Sequence, residues 1–129
     1  MKSIVLFVAV CVALSACSEK KNVEVGNKTS MQVNAIFDAG TVVKGEIIAA
    51  KFIVENTGKY PLVIAEVKGS CSCTVAEHPE DPIQPGEKGE IKAEIDTDKT
   101  SKGALSKSVR IVANTEPSVT GVAIKAVVK

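Results

Sequence analysis

From Gln32 onward, apolar and polar residues alternate in short runs, the period-two pattern of strands with one buried face. Val33, Ala35 and Phe37 share one face of a first strand. Asp38-Ala39-Gly40 breaks it, and Val42-Val43 continues it briefly. Residues 47–55 form the next strand, with Ile48, Ala50, Phe52 and Val54 inward. Asn56-Thr57-Gly58-Lys59 predicts a turn in which Gly58 supplies a positive φ. Residues 61–67 follow with Leu62 and Ile64 inward. Gly69-Ser70 interrupts them, and Thr74-Val75-Ala76 reads as a short edge piece. Residues 78–89 carry Pro79, Pro82 and Pro85 and predict a loop that crosses between sheets. Strands over 90–96, 105–113 and 119–128 complete the pattern. Their inward positions are Ile91, Ala93 and Ile95, then Val109, Ile111 and Ala113, then Val122, Ile124, Ala126 and Val128. Turns at 98–103 and 114–117 separate them. The chain therefore predicts an all-β fold, an immunoglobulin-like β-sandwich of about seven antiparallel strands. A small Greek-key barrel is the alternative. Phe37, Phe52 and Tyr60 are the large rings available to its core.

The N-terminus has a different pattern. Lys2 precedes an unbroken apolar run over residues 4–14. A bilayer-spanning helix needs about 20 apolar residues, so this run has the length of a secretory leader instead. Leu14-Ser15-Ala16-Cys17 follows and resembles the lipobox of bacterial lipoproteins. That resemblance implies cleavage before Cys17, a diacylglyceryl thioether on its sulfur and an acylated amino group, with palmitate as a typical chain. Two or more acyl chains suffice for stable anchoring. Cys11 lies inside the leader and leaves with it. The expected organisation is a signal peptide over 1–16, a lipidated Cys17 and flexible linker over 17–31, and the sandwich over 32–129. The mature chain is then anchored by lipid to the cell membrane or outer membrane, facing the periplasm or the exterior. Lys20 and Lys21 read as solvated linker charges.

Composition narrows the function. Aromatic residues make up 3% of the chain and Trp is absent, which leaves no platform for stacking sugars or single-stranded bases. Sixteen basic residues against fifteen acidic ones provide no basic excess for a phosphate backbone, so nucleic acid is not an expected partner. Phosphate loops, a Gly-x-Ser-x-Gly elbow and paired Cys-x-x-Cys knuckles are missing from the sequence. Asp38, Asp96 and Asp98 stand in turn contexts, where Asp bonds the local backbone.

A family resemblance covers residues 33–128. Lys51-Phe52-Ile53-Val54-Glu55-Asn56-Thr57-Gly58 followed by Pro61-Leu62-Val63-Ile64 is similar to the opening of Hydin-type (ASH-like) immunoglobulin domains. Four later stretches extend the likeness: Cys71-Ser72-Cys73-Thr74, Pro82-Ile83-Gln84-Pro85-Gly86-Glu87-Lys88-Gly89, Ile95-Asp96-Thr97 and Val109-Arg110-Ile111-Val112-Ala113-Asn114. Together they resemble a bacterial family of small secreted or lipid-anchored domains catalogued as a domain of unknown function. The resemblance implies the sandwich and the envelope location and implies no activity. Ser72 stands where that family often has Gly.

Cys71 and Cys73 are the thiols left once Cys17 is lipidated. In a regular strand, residues two apart have Cβ atoms roughly 6–7 Å apart, whereas a disulfide needs about 3.8 Å. A Cys71–Cys73 bond therefore requires a turn at Ser72, which Gly69-Ser70 makes accessible and an oxidising compartment favours. Such a ring suits a structural or a redox role. Two thiolates with His78, in Cys-x-Cys-x4-His spacing, form a soft site for Cu or Zn, with Glu77, Glu80 or Asp81 as a further oxygen ligand. Bonding to another chain is a third use, and two small residues packed at a strand end a fourth. His78 by itself reads as a loop residue on the Pro-rich segment. The sequence points to a non-catalytic binding or assembly module with an unidentified envelope protein as partner. The alternative is a thiol protein that holds Cu or Zn or exchanges disulfides. No resident cofactor is expected.

Overall fold

The computed structural model describes residues 27–129; the apolar leader, Cys17 and most of the expected linker lie outside the described residues. Eight strands follow: β1 (Met31–Val33), β2 (Ile36–Val42), β3 (Ile47–Asn56), β4 (Ile64–Gly69), β5 (Thr74–Glu77), β6 (Lys88–Asp96), β7 (Gly103–Ala113) and β8 (Val119–Val128). They form two four-stranded sheets, ordered β1-β3-β6-β5 and β2-β8-β7-β4. This is the immunoglobulin-like sandwich that the alternation predicts.

The count is eight rather than seven because the first predicted strand divides. Val33 pairs with Val54 in one sheet. Asn34 then accepts a hydrogen bond from the Ile53 amide at 2.9 Å through its Oδ1. The Ala35 carbonyl accepts from Ala123 of the other sheet at 2.8 Å. The chain thus changes sheets within two residues. β2 runs parallel to β8, an exception to the antiparallel expectation. The predicted break at Asp38-Ala39-Gly40 is a bulge inside β2: the register shifts there, Gly40 takes φ 70°, and its amide donates to Asp38 Oδ1 at 2.8 Å.

The core lies between the sheets and is mostly aliphatic. Every inward residue predicted on β3, β6, β7 and β8 is buried. Phe52 is fully enclosed and meets the half-buried Phe37 edge-on, with centroids 6.4 Å apart. Tyr60 does not join them; it is 44% exposed, because its backbone is drawn into a polar lock at one end of the sandwich.

Asn56 forms that lock and is fully buried. Its Nδ2 donates to the carbonyls of Tyr60 at 2.7 Å and Ile83 at 2.8 Å. Its Oδ1 accepts from Thr29 Oγ1 at 2.9 Å and the Gly58 amide at 3.0 Å. Asn114 performs the same work beside it. It accepts from the Val63 amide at 2.7 Å and donates to the carbonyls of Pro61 and Asn27. Gly58 is not in the left-handed region, contrary to the expectation for its turn. It is glycine for space: a Cβ there would stand 2.0 Å from Thr29 Oγ1 and 2.5 Å from the Ser30 amide. Residues 27–31, expected in the linker, are tied to the domain through Thr29, which is buried and bridges Thr115.

The Pro-rich segment does not cross between sheets. It joins β5 to β6, which are hydrogen-bonded neighbours in one sheet. Its prolines shape a long hairpin connection, stapled to the 57–63 segment by reciprocal Leu62–Ile83 backbone bonds of 2.8 and 2.9 Å. A crossover lies earlier, at residues 70–73 between β4 and β5.

Candidate functional site

That crossover contains both remaining cysteines. β4 follows β7 to its end: Lys68 opposes Arg110, Gly69 opposes Val109, and the Ser70 amide donates to the Ser108 carbonyl at 2.9 Å. The chain then turns. The Thr74 amide donates to the Cys71 carbonyl at 3.2 Å, while the Cys73 carbonyl accepts from Asp96 of β6 at 3.1 Å. The turn at Ser72 brings the cysteines together as a Cys71–Cys73 disulfide, with Cα atoms 5.2 Å apart.

The two sulfurs differ in access. Cys73 is buried at the rim of the core, at 6% exposure, whereas Cys71 is half-buried. The Thr74 hydroxyl lies against both, 3.6 Å from Cys71 Sγ and 3.8 Å from Cys73 Sγ. Gly69 makes room for it, since a Cβ there would be 2.5 Å from Thr74 Cβ.

An open depression borders the disulfide, lined by Lys68, Ser70, Cys71, Ser72 and Thr74. A second depression shares Lys68 and Ser70 and continues to Ser108 and Arg110. Among the described residues, Lys68, Arg110 and Lys107 form no ion pair. Glu66, on the same outer face as Lys68, pairs with none of them.

His78 is not brought to this site. It stands just beyond the far end of β5, over a separate depression with Glu77, Pro79, Glu90 and Lys92. Four intervening residues in extended chain place it roughly 13–17 Å from Cys73. Its Nδ1 lies 2.9 Å from the Pro79 carbonyl. The described residues hold no cluster of three metal-ligating side chains. Glu77, Glu80 and Asp81 stay with the His78 end.

Sequence reasoning missed Thr74, Lys68 and Arg110. The period-two pattern marks Lys68 and Arg110 as outward, but only the β4–β7 register sets them side by side. Thr74 adjoins Cys73 in sequence, yet its place beneath both sulfurs depends on the turn.

The edge of β5 is the other open feature. Asp96 bonds to Cys73, so the alternation of antiparallel ladders turns Val75 and Glu77 toward β6 and leaves the Ala76 amide and carbonyl facing outward. Val75 is 65% exposed. The other edges are shorter or blunted. β1 has three residues, and β2 and β4 both carry register shifts.

Solved structures share this architecture. A protein of unknown function from Porphyromonas gingivalis is similar at TM-score 0.69 and 19% identity, over 78% of this chain and 47% of that one. The chain thus spans about half the length of that protein. PapD-like domain 7 of human CEP192, an ASH/PapD-like domain, is similar at TM-score 0.63 and 9% identity, over 79% and 87%. A FixG-related protein from Vibrio parahaemolyticus is similar at TM-score 0.50 and 14% identity, over 80% and 98%. At these identities the likeness shows the fold. No curated protein matches the sequence. The model of one family matches residues 29–128, nearly all of the described domain, and the chain belongs to that family, the proteins of unknown function designated DUF1573.

Proposed function

We propose that this chain is a lipid-anchored, non-catalytic binding or assembly module of the bacterial cell envelope. It takes an extended segment of a partner protein onto the free edge of β5, beside residues 71–85. The observation that carries this reading is the β5 edge itself: an unbulged strand with an outward-facing Ala76 backbone and a Val75 side chain 65% exposed. An added strand would complete the Ala76 bonds and cover Val75. The anchor rests on Leu14-Ser15-Ala16-Cys17, and Cys17→Ser should abolish palmitate labelling and move the protein from the membrane fraction to the soluble one.

The edge is tested by Ala76→Pro. Proline removes the outward amide and leaves the β5–β6 bonds in place, so stability should change by less than about 1 kcal/mol. A photo-crosslinking residue at position 75 should yield one discrete adduct in intact envelopes. Ala76→Pro should remove that adduct, and a probe at Val127 on the other sheet should give none. An adduct indifferent to Ala76→Pro, or equal labelling from position 127, would refute strand addition.

A further inference from the structure

The disulfide has no part in strand addition, and its surroundings differ from those of an inert staple. We propose that Cys71–Cys73 is a thiol-exchange site selective for anionic thiols, with Cys71 as the sulfur that is attacked. Three observations carry this, none of which depends on the β5 edge.

The first is access. Attack on a disulfide requires an approach along the S–S axis to one sulfur. Cys71 is half-buried and lines the open depression, while Cys73 is 6% exposed and packed into the core rim. An incoming thiolate reaches Cys71 and displaces Cys73.

The second is the Thr74 hydroxyl, 3.8 Å from Cys73 Sγ and 3.6 Å from Cys71 Sγ. It can turn its proton toward either sulfur as that sulfur becomes anionic, and so supports both halves of an exchange.

The third is charge. Lys68 and Arg110 oppose each other directly on the outer face, an unfavourable pairing of like charges. Among the described residues neither forms an ion pair. Their depression shares the wall of Lys68, Gly69 and Ser70 with the one at Cys71. An anionic group carried beside the attacking thiol relieves that repulsion, and a cationic one adds to it.

The exchange balances as follows. The partner's thiolate forms an S–S bond to Cys71 Sγ. The Cys71–Cys73 bond breaks, and its electron pair stays on Cys73 Sγ, which is protonated from solvent. A second thiolate, from the same partner or another molecule, attacks the partner's sulfur in the mixed disulfide and releases Cys71 as a thiolate. Two partner thiols are oxidised to a disulfide, and Cys71–Cys73 is reduced to two thiols. The substrate class is a polypeptide or small molecule whose thiol lies next to carboxylates.

The test uses the full chain as the cell exports it, in its oxidised form. It is exposed to glutathione, which is anionic, or to cysteamine, which is cationic, at matched thiolate concentrations. Adducts are trapped by acid and located by peptide mass. Glutathione should add at Cys71 roughly fivefold faster than cysteamine adds. That preference should vanish in about 0.5 M salt and in Lys68→Glu/Arg110→Glu. The wild-type comparison alone decides the matter if that variant fails to fold. Addition at Cys73, equal rates for the two thiols, or a disulfide inert to both would overturn the proposal. A lost position-75 adduct would leave it untouched.

Discussion

The two ends of the sandwich handle their polar groups in opposite ways. At the Asn56–Asn114 end, a buried and a half-buried amide bond to seven residues in three stretches of chain, and none of their polar atoms is left without a partner. At the Cys71 end, a half-buried sulfur, a threonine hydroxyl and a lysine in no ion pair border an open depression. The first arrangement is complete within the chain. The second gains from a further molecule. Motif residues at the first end, Asn56, Gly58 and Asn114, are therefore accounted for by folding. Chemistry directed outward is to be sought at the second end and along the adjoining β5 edge.

The largest test of that contrast is Asn56→Ala. It deprives two carbonyls, the Thr29 hydroxyl and the Gly58 amide of a partner that is itself fully buried. Each orphaned buried group costs about 1–3 kcal/mol. Partial relaxation should leave a net loss of about 3 kcal/mol and a fall in Tm of roughly 15 °C. Urea unfolding and calorimetry measure both. A loss under about 1 kcal/mol would mean that water replaces the amide, and the distinction between the two ends would fail.

Removing the disulfide should cost less. Cys71→Ser/Cys73→Ser opens a ring that spans one intervening residue, and closing so short a loop restricts the unfolded chain little, by about 1.5 kcal/mol in the chain-entropy account. The double variant should remain folded, with a Tm lowered by less than half the Asn56→Ala shift, and should lose every thiol adduct. If it instead unfolds at the growth temperature, the disulfide is the lock of its own end, and the ends are alike.

The strands were legible because burial here follows period two almost without exception. β3 alternates exposed and buried residues over its whole length, and β6 to β8 place every predicted inward residue in the core. What the pattern hides is set by bonds between distant segments. Alternation through Val33, Ala35 and Phe37 runs unbroken in the sequence across a change of sheet, which the bonds of Asn34 to one sheet and Ala35 to the other bring about. Three prolines in residues 78–87 signal an irregular path equally well for a crossover and a long hairpin. Gly58 looks like a turn glycine, but the atoms that require it belong to Thr29 and Ser30. At the candidate site, the Cys-x-Cys spacing suggested a turn at Ser72 as the condition for a bond. The separation of His78 and the pairing of Lys68 with Arg110 follow from register, which no local pattern encodes.

The smallest effect sharpens the contrast from the Asn114 side. Besides Thr29, the N-terminal segment reaches this end through the half-buried Asn114–Asn27 bond and an exposed Lys28–Glu116 ion pair. The hydrogen bond from the Lys28 ammonium, aided by its charge, holds the Glu116 carboxyl below the ordinary carboxylate range. A carboxyl lowered on folding adds stability that is present above its unfolded pKa and lost as pH falls through the folded one, so the window lies below about pH 4.5. Both side chains are well exposed, at 60% and 74%, and solvent screens such a pair almost completely. In Lys28→Ala, the Glu116 titration followed by NMR should return to the ordinary range, while the Tm near neutral pH should move by less than about 1 °C. Asn114→Ala should lower Tm several-fold more than that, because it orphans the Val63 amide in partial burial. A Lys28→Ala shift as large as that of Asn114→Ala would show that the segment is held by surface charge. The end would then weaken with salt, as the cationic rim of Cys71 is expected to do.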